Sequence, residues 1–395
     1  MTAPAAQPER EAGGHPPHQR VGWFELFYDL VIVAAVGYAA HTFAHEPTWP
    51  LGLWIAAWTF IMFVLWLLTA LNNNLYPGDH PWRRVLGLVQ MLALVVAALG
   101  TVADEGLPNW AGFAGLAVAF GSVAATYAIA LRGGAVDLRE IRILGWASGG
   151  AAVVLALGIL LPDDAEWTLT GAPTWLITVG VGIAAVPLFG VGTGRVAGRI
   201  DEEHLGERLG QLVIIVLGES FMSLVSALGG LSTIPNPVFF VLTFVVVFAI
   251  WTLYFSSVAP EDMPRTGGRL RAWFLTHWLL MFGAVGAAAG FSAVTLVPFG
   301  THGAHSVSEW TTLPLAFVMV ALAVLAWLAA GSVTVLVKMH AATAGVLFVL
   351  AFVGIILTAG GENWEIALGS LVVIADAVLS SRIVRPYSGR RVEAA

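Results

Sequence analysis

The feature that most constrains this chain is its succession of long apolar segments separated by short polar ones. A helix needs about 20 apolar residues to cross the hydrocarbon core of a bilayer. Of the 395 residues, 58 % are hydrophobic and 11 % are charged, whereas a soluble domain carries about 25 % charged residues. The composition therefore indicates an all-α polytopic membrane protein. We predict about 12 transmembrane helices, at residues 22–43, 51–71, 83–103, 110–131, 141–161, 174–194, 207–229, 236–258, 270–298, 311–336, 339–358 and 363–384.

The positions of the basic residues predict the orientation of these helices. If successive helices alternate in direction, all 18 Lys and Arg residues fall on the side that holds the chain termini. The charged residues of the opposite segments are all acids. Because Lys and Arg are in excess in cytoplasmic loops, we predict that both termini are cytoplasmic. The basic residues are Arg10, Arg20, Arg83, Arg84, Arg132, Arg139, Arg142, Arg195, Arg199, Arg208, Arg265, Arg269, Arg271, Lys338, Arg382, Arg385, Arg390 and Arg391.

A sequence repeat divides the chain into two halves. Residues 25–32 read ELFYDLVI and residues 207–214 read ERLGQLVI, an offset of 182 that aligns two acidic motifs. Similar pairs follow in the same order, TFIMFVLW with TFVVVFAIW and RVLGLVQMLAL with RAWFLTHWLLM. The offset spans an even number of helices, so both halves have the same orientation, as in the parallel repeats of some transporters. We predict a disordered cytoplasmic tail at 1–20, six-helix repeats at 21–200 and 201–385, and a cytoplasmic tail at 386–395.

Two acids, Glu25 and Asp29, lie in the first two turns of the first predicted helix. Their spacing of four residues places them on one helical face. A carboxylate at a helix N-terminus is stabilised by the helix dipole. For Glu25 taken alone, a purely structural role therefore explains its position as well as a functional role does. Asp29 lies deeper and has a short side chain, and a charge inside the bilayer costs several kcal/mol. We therefore expect Asp29 to face a helix interface, a cavity or a cation.

The second half supplies further candidate residues. Glu219 lies near the middle of the seventh predicted helix beside Gly218, which allows another backbone to approach closely. An acid at this depth is typical of a proton carrier, and also of an inert hydrogen-bonded carboxyl. His277 suits a proton relay, or is a solvated histidine at the membrane edge. The residues that we predict to bind an ion or a substrate are Glu25, Asp29, Glu207, Gln211, Glu219 and His277.

Several other kinds of site find no support in the sequence. There is no cysteine, which excludes disulfides, thiolate metal sites and cysteine nucleophiles. His41 and His45 are one turn apart, but no clear third metal ligand is visible. Glu219 and Ser220 are adjacent and point in different directions, so they do not form a base and nucleophile pair. We predict no metal, no cofactor, no nucleic-acid partner and no enzymatic activity, and we expect Asp376 to pair with a base such as Arg382 or Lys338.

Four segments together resemble the bacterial low temperature requirement A (LtrA) family. They are WFELFYDLVIVAAV in the first helix, VLGLVQMLAL in the third, HLGERLGQLVIIVLGES in the seventh and WTLYF in the eighth. The resemblance runs in order from about residue 20 to the last helix. It implies a multi-pass protein of the bacterial cytoplasmic (plasma) membrane and supplies no substrate. The acidic motif positions of the family correspond to Glu25, Asp29, Glu207 and Glu219, whereas Leu209 and Gln211 depart from the usual residues.

Two functions are compatible with these observations. The first is a secondary transporter, in which binding of a proton or a small cation is coupled to movement of an unknown small solute. The second is a non-transporting membrane sensor, scaffold or lipid-interacting factor needed for growth at low temperature, in which the acids hold helices together. An intramembrane enzyme acting on lipid ranks below both, because the sequence shows no convincing nucleophile with its base. The sequence leaves the oligomeric state open.

Overall fold

The computed structural model describes residues 21–45, 48–77, 80–101, 107–132, 139–162, 172–190, 197–229, 237–259, 262–265, 267–296, 309–329, 333–356 and 364–392. Within these ranges the chain forms twelve α-helices and no β-strand. The helices are α1 (Trp23–His45), α2 (Trp49–Leu75), α3 (Pro81–Thr101), α4 (Asn109–Arg132), α5 (Arg139–Leu157), α6 (Ala172–Gly190), α7 (Glu202–Gly229), α8 (Pro237–Ser257), α9 (Gly267–Leu296), α10 (Glu309–Leu328), α11 (Thr334–Ile356) and α12 (Trp364–Val392).

Eleven of the twelve described helices are long and apolar enough to cross a membrane. The exception is α7, which carries the charged residues Glu202, Glu203, Glu207, Arg208 and Glu219. The outer surface of the bundle exposes large apolar side chains that water would solvate poorly and lipid solvates well; Leu92 is 66 % exposed, Val186 77 % and Phe248 64 %. The prediction of an all-α polytopic membrane protein is confirmed.

The predicted division between the tenth and eleventh helices is wrong. The sequence predicts a tenth span that continues to residue 336, whereas α10 ends at Leu328 and α11 begins at Thr334. Arg269 Nη2 donates to the carbonyl oxygens of Trp327 at 3.2 Å and Leu328 at 2.8 Å. A basic side chain on the last carbonyls satisfies groups that a continuing helix would bond internally. The end of α10 therefore coincides with a tertiary contact, which a hydropathy pattern does not predict.

At the C-terminal end, α12 continues to Val392. The helix therefore extends into residues 386–392, which the sequence assigns to a tail. The predicted kink near Pro298 and the predicted tail at 1–20 lie outside the described residues.

Contacts between helix ends show how successive helices are arranged. Glu25 near the start of α1 contacts Arg208 near the start of α7. Asn74 in the last turn of α2 contacts Asp201, directly before α7. The starts of α1 and α7 and the end of α2 therefore lie at one end of the bundle. Arg83 of α3 joins them through Asn72 of α2, and Arg265, which follows α8, joins them through Glu202 of α7. We call this the basic end of the bundle because Arg83 and Arg84 begin α3 there.

The order of neighbouring helices is the same in the first six helices and in the last six. In the first six, α1 packs on α3, α3 on α4, α4 on α5 and α5 on α6. In the last six, α7 packs on α9, α9 on α10, α10 on α11 and α11 on α12. Both α1 and α2 pack against α7 and α9. These four helices form the interface between the two groups of six, and the acids of α1 lie in that interface.

Glycines allow the closest helix pairs to approach. A Cβ atom added to Gly115 of α4 would lie 2.5 Å from Ala93 O of α3. A Cβ atom added to Gly283 of α9 would lie 2.8 Å from Pro314 O of α10. Backbone atoms cannot swing aside as the tip of a side chain can, so a larger residue at either glycine must separate the helices.

We predict that Gly283→Ala lowers the free energy of unfolding by about 1–3 kcal/mol through overpacking. Gly182→Ala in α6 is the matched control, since its added Cβ would meet no described atom within 4 Å. The control should be neutral or stabilising, because Ala favours a helix over Gly by about 1 kcal/mol. The measurement is thermal unfolding in detergent. Equal melting temperatures for the two variants would contradict this packing of α9 on α10.

Candidate functional site

Near the basic end of the bundle, the guanidinium group of Arg208 on α7 is fully removed from solvent. Its Nη1 donates to Glu25 Oε1 at 3.3 Å and its Nη2 donates to Asp29 Oδ1 at 2.5 Å. Asp29 is fully buried and Glu25 is 9 % exposed. One guanidinium from the seventh helix therefore bridges the two neighbouring acids of the first helix.

Trp66 of α2 completes the surroundings of Asp29. Its indole Nε1 donates to Asp29 Oδ1 at 2.7 Å. The Arg208 guanidinium lies over the same ring, 5.4 Å from its centroid, an arrangement favoured by the electrostatics of the aromatic face. Asp29 Oδ1 thus accepts two hydrogen bonds, whereas the buried Oδ2 accepts none from the described residues.

His204, one turn before Arg208, binds the other oxygen of Glu25. His204 Nε2 lies 3.3 Å from Glu25 Oε2, and its Nδ1 lies 3.4 Å from Asn74 Nδ2. The orientation of the Asn74 amide is set by Asp201, whose carbonyl accepts from Asn74 Nδ2 at 2.8 Å and whose N–H donates to Asn74 Oδ1 at 2.9 Å. Asn74 Nδ2 is only a donor, so His204 Nδ1 accepts and Nε2–H donates to Glu25. These contacts are those of a neutral imidazole.

The two acids of this cluster differ in their surroundings. Both accept a hydrogen bond from the Arg208 guanidinium. Glu25 also lies within electrostatic reach of a second base, Arg83 near the start of α3, and both of its carboxylate oxygens are bonded. Asp29 is fully buried, and its Oδ2 accepts from no described group. A buried carboxylate oxygen without a donor is unfavourable, which distinguishes Asp29 from Glu25.

A cavity of about 410 Å³ lies beside Glu25 at the basic end. Gln90 Nε2 donates to Tyr28 Oη at 2.8 Å and to Thr69 Oγ1 at 3.1 Å, and all three side chains line the cavity. Arg83 is part of the same wall and donates to Asn72 Oδ1 at 2.7 Å. The cavity therefore combines hydroxyl, amide and guanidinium groups with one carboxylate of the buried cluster. Its volume is in the range of small-molecule sites.

Glu219 lies on α7 about three turns beyond Arg208, against α1. Its carboxylate contacts Gly37, where even a Cβ atom would overlap it. No described residue forms a hydrogen bond or an ion pair with this carboxylate. Gly37 is eight residues after Asp29, about 12 Å along α1. The intervening side chains of Ile32 and Val36 are fully buried and apolar.

The other three predicted site residues have different surroundings. Glu207 is exposed, and Gln211 is half-buried with an Oε1 atom that no described group contacts by hydrogen bond. His277 is buried, with Nε2 3.1 Å from Tyr254 Oη and Nδ1 2.8 Å from Trp273 O. No described hydrogen bond or ion pair joins any of the three to Glu25 or Asp29. Their predicted roles stay predictions.

The residues that the sequence analysis missed are the partners of the acids. Arg208 was assigned with the basic cytoplasmic segments, and His204 and Trp66 were not selected. One signal was present, because Arg208 lies inside the predicted span 207–229 and a base inside a span needs a compensating charge. Nothing in the sequence says which acid supplies it, since Arg208 and Asp29 are separated by 179 positions.

The expected pairing of Asp376 with Arg382 or Lys338 is wrong. Asp376 on α12 instead pairs with His340 on α11, at 3.0 Å from Oδ2 to Nδ1. In the part of the chain that the structure describes, no group of three or more His, Asp and Glu side chains could hold a metal ion.

Comparison with known proteins identifies a family. Residues 20–377 match the family model described as bacterial low temperature requirement A protein (LtrA). The match covers nearly the whole chain and includes every residue of the Arg208 cluster. A search of the curated proteins found no match.

We predict that Arg208→Met lowers the free energy of unfolding by about 3–5 kcal/mol, because it leaves two buried carboxylates without their counter-charge. Arg265→Met is the control, since Arg265 pairs with Glu202 at the surface and its side chain is 83 % exposed. Such pairs contribute about 0–1 kcal/mol. Thermal unfolding in detergent compares the two, and adding Asp29→Asn to Arg208→Met should recover part of the loss. If Arg208→Met is as mild as the control, the buried cluster is not formed.

Proposed function

We propose that this chain, which belongs to the bacterial low temperature requirement A family, is a secondary transporter of the bacterial plasma membrane. A proton or a small cation binds at the Asp29–Arg208 cluster, and its binding is coupled to the movement of a small solute. The observation that carries the proposal is the buried carboxylate of Asp29. Its Oδ1 accepts from Arg208 and Trp66, whereas its Oδ2 has no described partner and offers a place for a proton or a small cation.

The surroundings of the cluster support a transport path. Glu25 belongs both to the cluster and to the wall of the 410 Å³ cavity, so a solute in the cavity lies next to the ion site. Beyond Asp29, the buried Ile32 and Val36 separate the cluster from Glu219. We infer that Glu219 is a second carrier of the coupling ion, and that the apolar stretch between the two acids prevents leakage in the resting state.

The order of packed helices supports the internal repeat. The pairs α1 with α3, α3 with α4, α4 with α5 and α5 with α6 each have a counterpart six helices later. We infer two parallel six-helix repeats, at residues 21–200 and 201–385, with the ion site at their interface. The Lys and Arg distribution supports a cytoplasmic location of the basic end and of both termini, so that the cavity opens toward the cytoplasm.

A membrane sensor or scaffold is the second candidate. The observation that favours it is that the cluster connects three helices, α1, α2 and α7, through hydrogen bonds among Asp29, Trp66 and Arg208. In that case the acids only hold the bundle together, and no ion is bound or moved.

An ion-flux measurement separates the two candidates. The purified protein is reconstituted in liposomes that contain a pH-sensitive dye, and internal pH is recorded after gradients of Na⁺, K⁺ or H⁺ are imposed. We predict a flux in the wild type that falls at least about tenfold in Asp29→Asn and in Glu219→Gln. Asp29→Asn leaves Glu25 and Arg208 as a balanced pair, so this variant should remain folded.

Glu202→Gln is the matched control, because it makes the same change on α7 at an acid whose described ion pair, with Arg265, is at the surface. Its flux should equal that of the wild type. A wild-type flux that persists in both Asp29→Asn and Glu219→Gln would contradict the proposed ion sites. Absence of flux in the wild type under every gradient would favour the sensor or scaffold.

A further inference from the structure

A second polar cluster lies at the basic end between α8, α11 and α12, outside the site described above. Ser257 Oγ, on the last residue of α8, lies 3.1 Å from His340 Nε2. His340 Nδ1 lies 3.1 Å from Asp376 Oδ1 and 3.0 Å from Asp376 Oδ2. His340 is fully buried and Asp376 is 3 % exposed, whereas Ser257 is half-exposed. A hydroxyl at the surface is thus connected through an imidazole to a buried carboxylate.

The remaining contacts of Asp376 determine the direction of these hydrogen bonds. Thr343 Oγ1 donates to Asp376 Oδ2 at 2.8 Å, and Ser380 Oγ donates to Asp376 Oδ1 at 2.9 Å. A carboxylate that accepts from two hydroxyls also accepts from His340 Nδ1–H. In the neutral imidazole, Nε2 then carries a lone pair that faces the Ser257 hydroxyl. A serine nucleophile is activated by this arrangement, in which the imidazole Nδ1–H donates to a carboxylate and Nε2 accepts from the serine hydroxyl.

We propose that Ser257, His340 and Asp376 form a nucleophilic serine site that acts on carboxylic esters of membrane lipids. Ser257 and His340 are the catalytic residues, and Asp376 is a positioning residue that keeps the His340 ring oriented. This activity is additional to transport and does not depend on the Arg208 cluster.

The chemical step is hydrolysis of an ester by way of an acyl-serine. Ser257 Oγ attacks the acyl carbon while His340 Nε2 takes the hydroxyl proton. The bond between the acyl carbon and the alcohol oxygen then breaks, and His340 returns the proton to that oxygen. Water repeats the sequence on the acyl-serine and releases a carboxylic acid, so that ester and water give acid and alcohol.

The position of Ser257 in the fold argues for a lipid substrate. Ser257 ends a helix that is long and apolar enough to span the membrane, so it lies at the boundary between hydrocarbon and headgroups. The ester bonds of glycerolipids lie at this depth. A partly exposed hydroxyl at that depth is close to lipid ester bonds, so we assign membrane lipids as the substrate class.

The sequence could not show this constellation, because Ser257 and His340 are 83 positions apart and Asp376 follows after another 36. The absence of enzymatic activity therefore stays a prediction, and covalent labelling tests it.

A fluorophosphonate reacts with activated serines: Oγ forms a bond to phosphorus, the phosphorus–fluorine bond breaks, fluoride leaves and the base takes the proton. The probes are a dodecyl fluorophosphonate and a short-chain analogue, applied to the folded full-length protein in detergent.

We expect the dodecyl probe to label Ser257, located by peptide mass spectrometry, and to react at least about tenfold faster than the short-chain probe. His340→Gln should slow labelling at least about 100-fold, since a general base contributes about 10²–10⁴-fold. Ser256→Ala is the control, because Ser256 is adjacent but donates to the Leu253 carbonyl. Its labelling should match the wild type.

A second measurement uses the absence of cysteine in the chain and needs no serine probe. Ser257→Cys should react with iodoacetamide faster than Ser256→Cys, and His340→Gln should remove the difference. Lack of labelling at Ser257 in folded wild-type protein would overturn the proposal, as would equal rates with and without His340. Faster labelling by the short-chain probe would overturn the assignment to lipid esters.

Discussion

A guanidinium group buried in a helical bundle is stable only where carboxylates and other acceptors surround it. In this protein that requirement connects α7 to α1 and α2, because Arg208 reaches its partners Glu25, Asp29 and Trp66 only when the three helices are packed together. The same requirement also explains why two acids are tolerated at the start of an apolar helix. Each carboxylate has a fixed donor, and only one oxygen of Asp29 lacks a described one.

The proposed repeat and the Arg208 cluster together suggest how an ion site would form in a duplicated bundle. Glu25 and Glu207 occupy equivalent positions of the motif, yet Glu25 is buried and Glu207 is exposed. Arg208, the residue after Glu207, is buried in the interface and takes the first-half acids as partners. The site is therefore asymmetric, with the acids from one half and the base from the other. A change in the packing of α1 on α7 would alter the balance of charges, which is the kind of link that coupled transport needs.

Hydropathy and charge were enough to predict twelve helices and the acids that begin α1, because both depend on the sequence within about 20 residues. The contacts that give the sites their chemistry were not predictable in this way. Asp376 was expected to pair with Arg382 or Lys338, whereas the packing of α11 on α12 places it 3.0 Å from His340. The end of α10 was misplaced for the same reason, since Arg269 of α9 binds its last carbonyls. Which side chains of different helices pair with one another depends on tertiary packing, and local sequence patterns do not predict it.

Infrared difference spectroscopy tests the central claim most directly, namely that the Arg208 cluster binds one added positive charge at Asp29. Spectra are recorded as a function of pH in buffer without sodium or potassium, where only a proton can bind. Because Glu219 is a second proposed proton carrier, all spectra are compared in the Glu219→Gln background. We predict a carboxylic-acid C=O stretching band in Glu219→Gln that remains when Glu25→Gln is added and is lost when Asp29→Asn is added. Spectra of Glu219→Gln that are unchanged by Asp29→Asn, or that show no such band, would contradict the account.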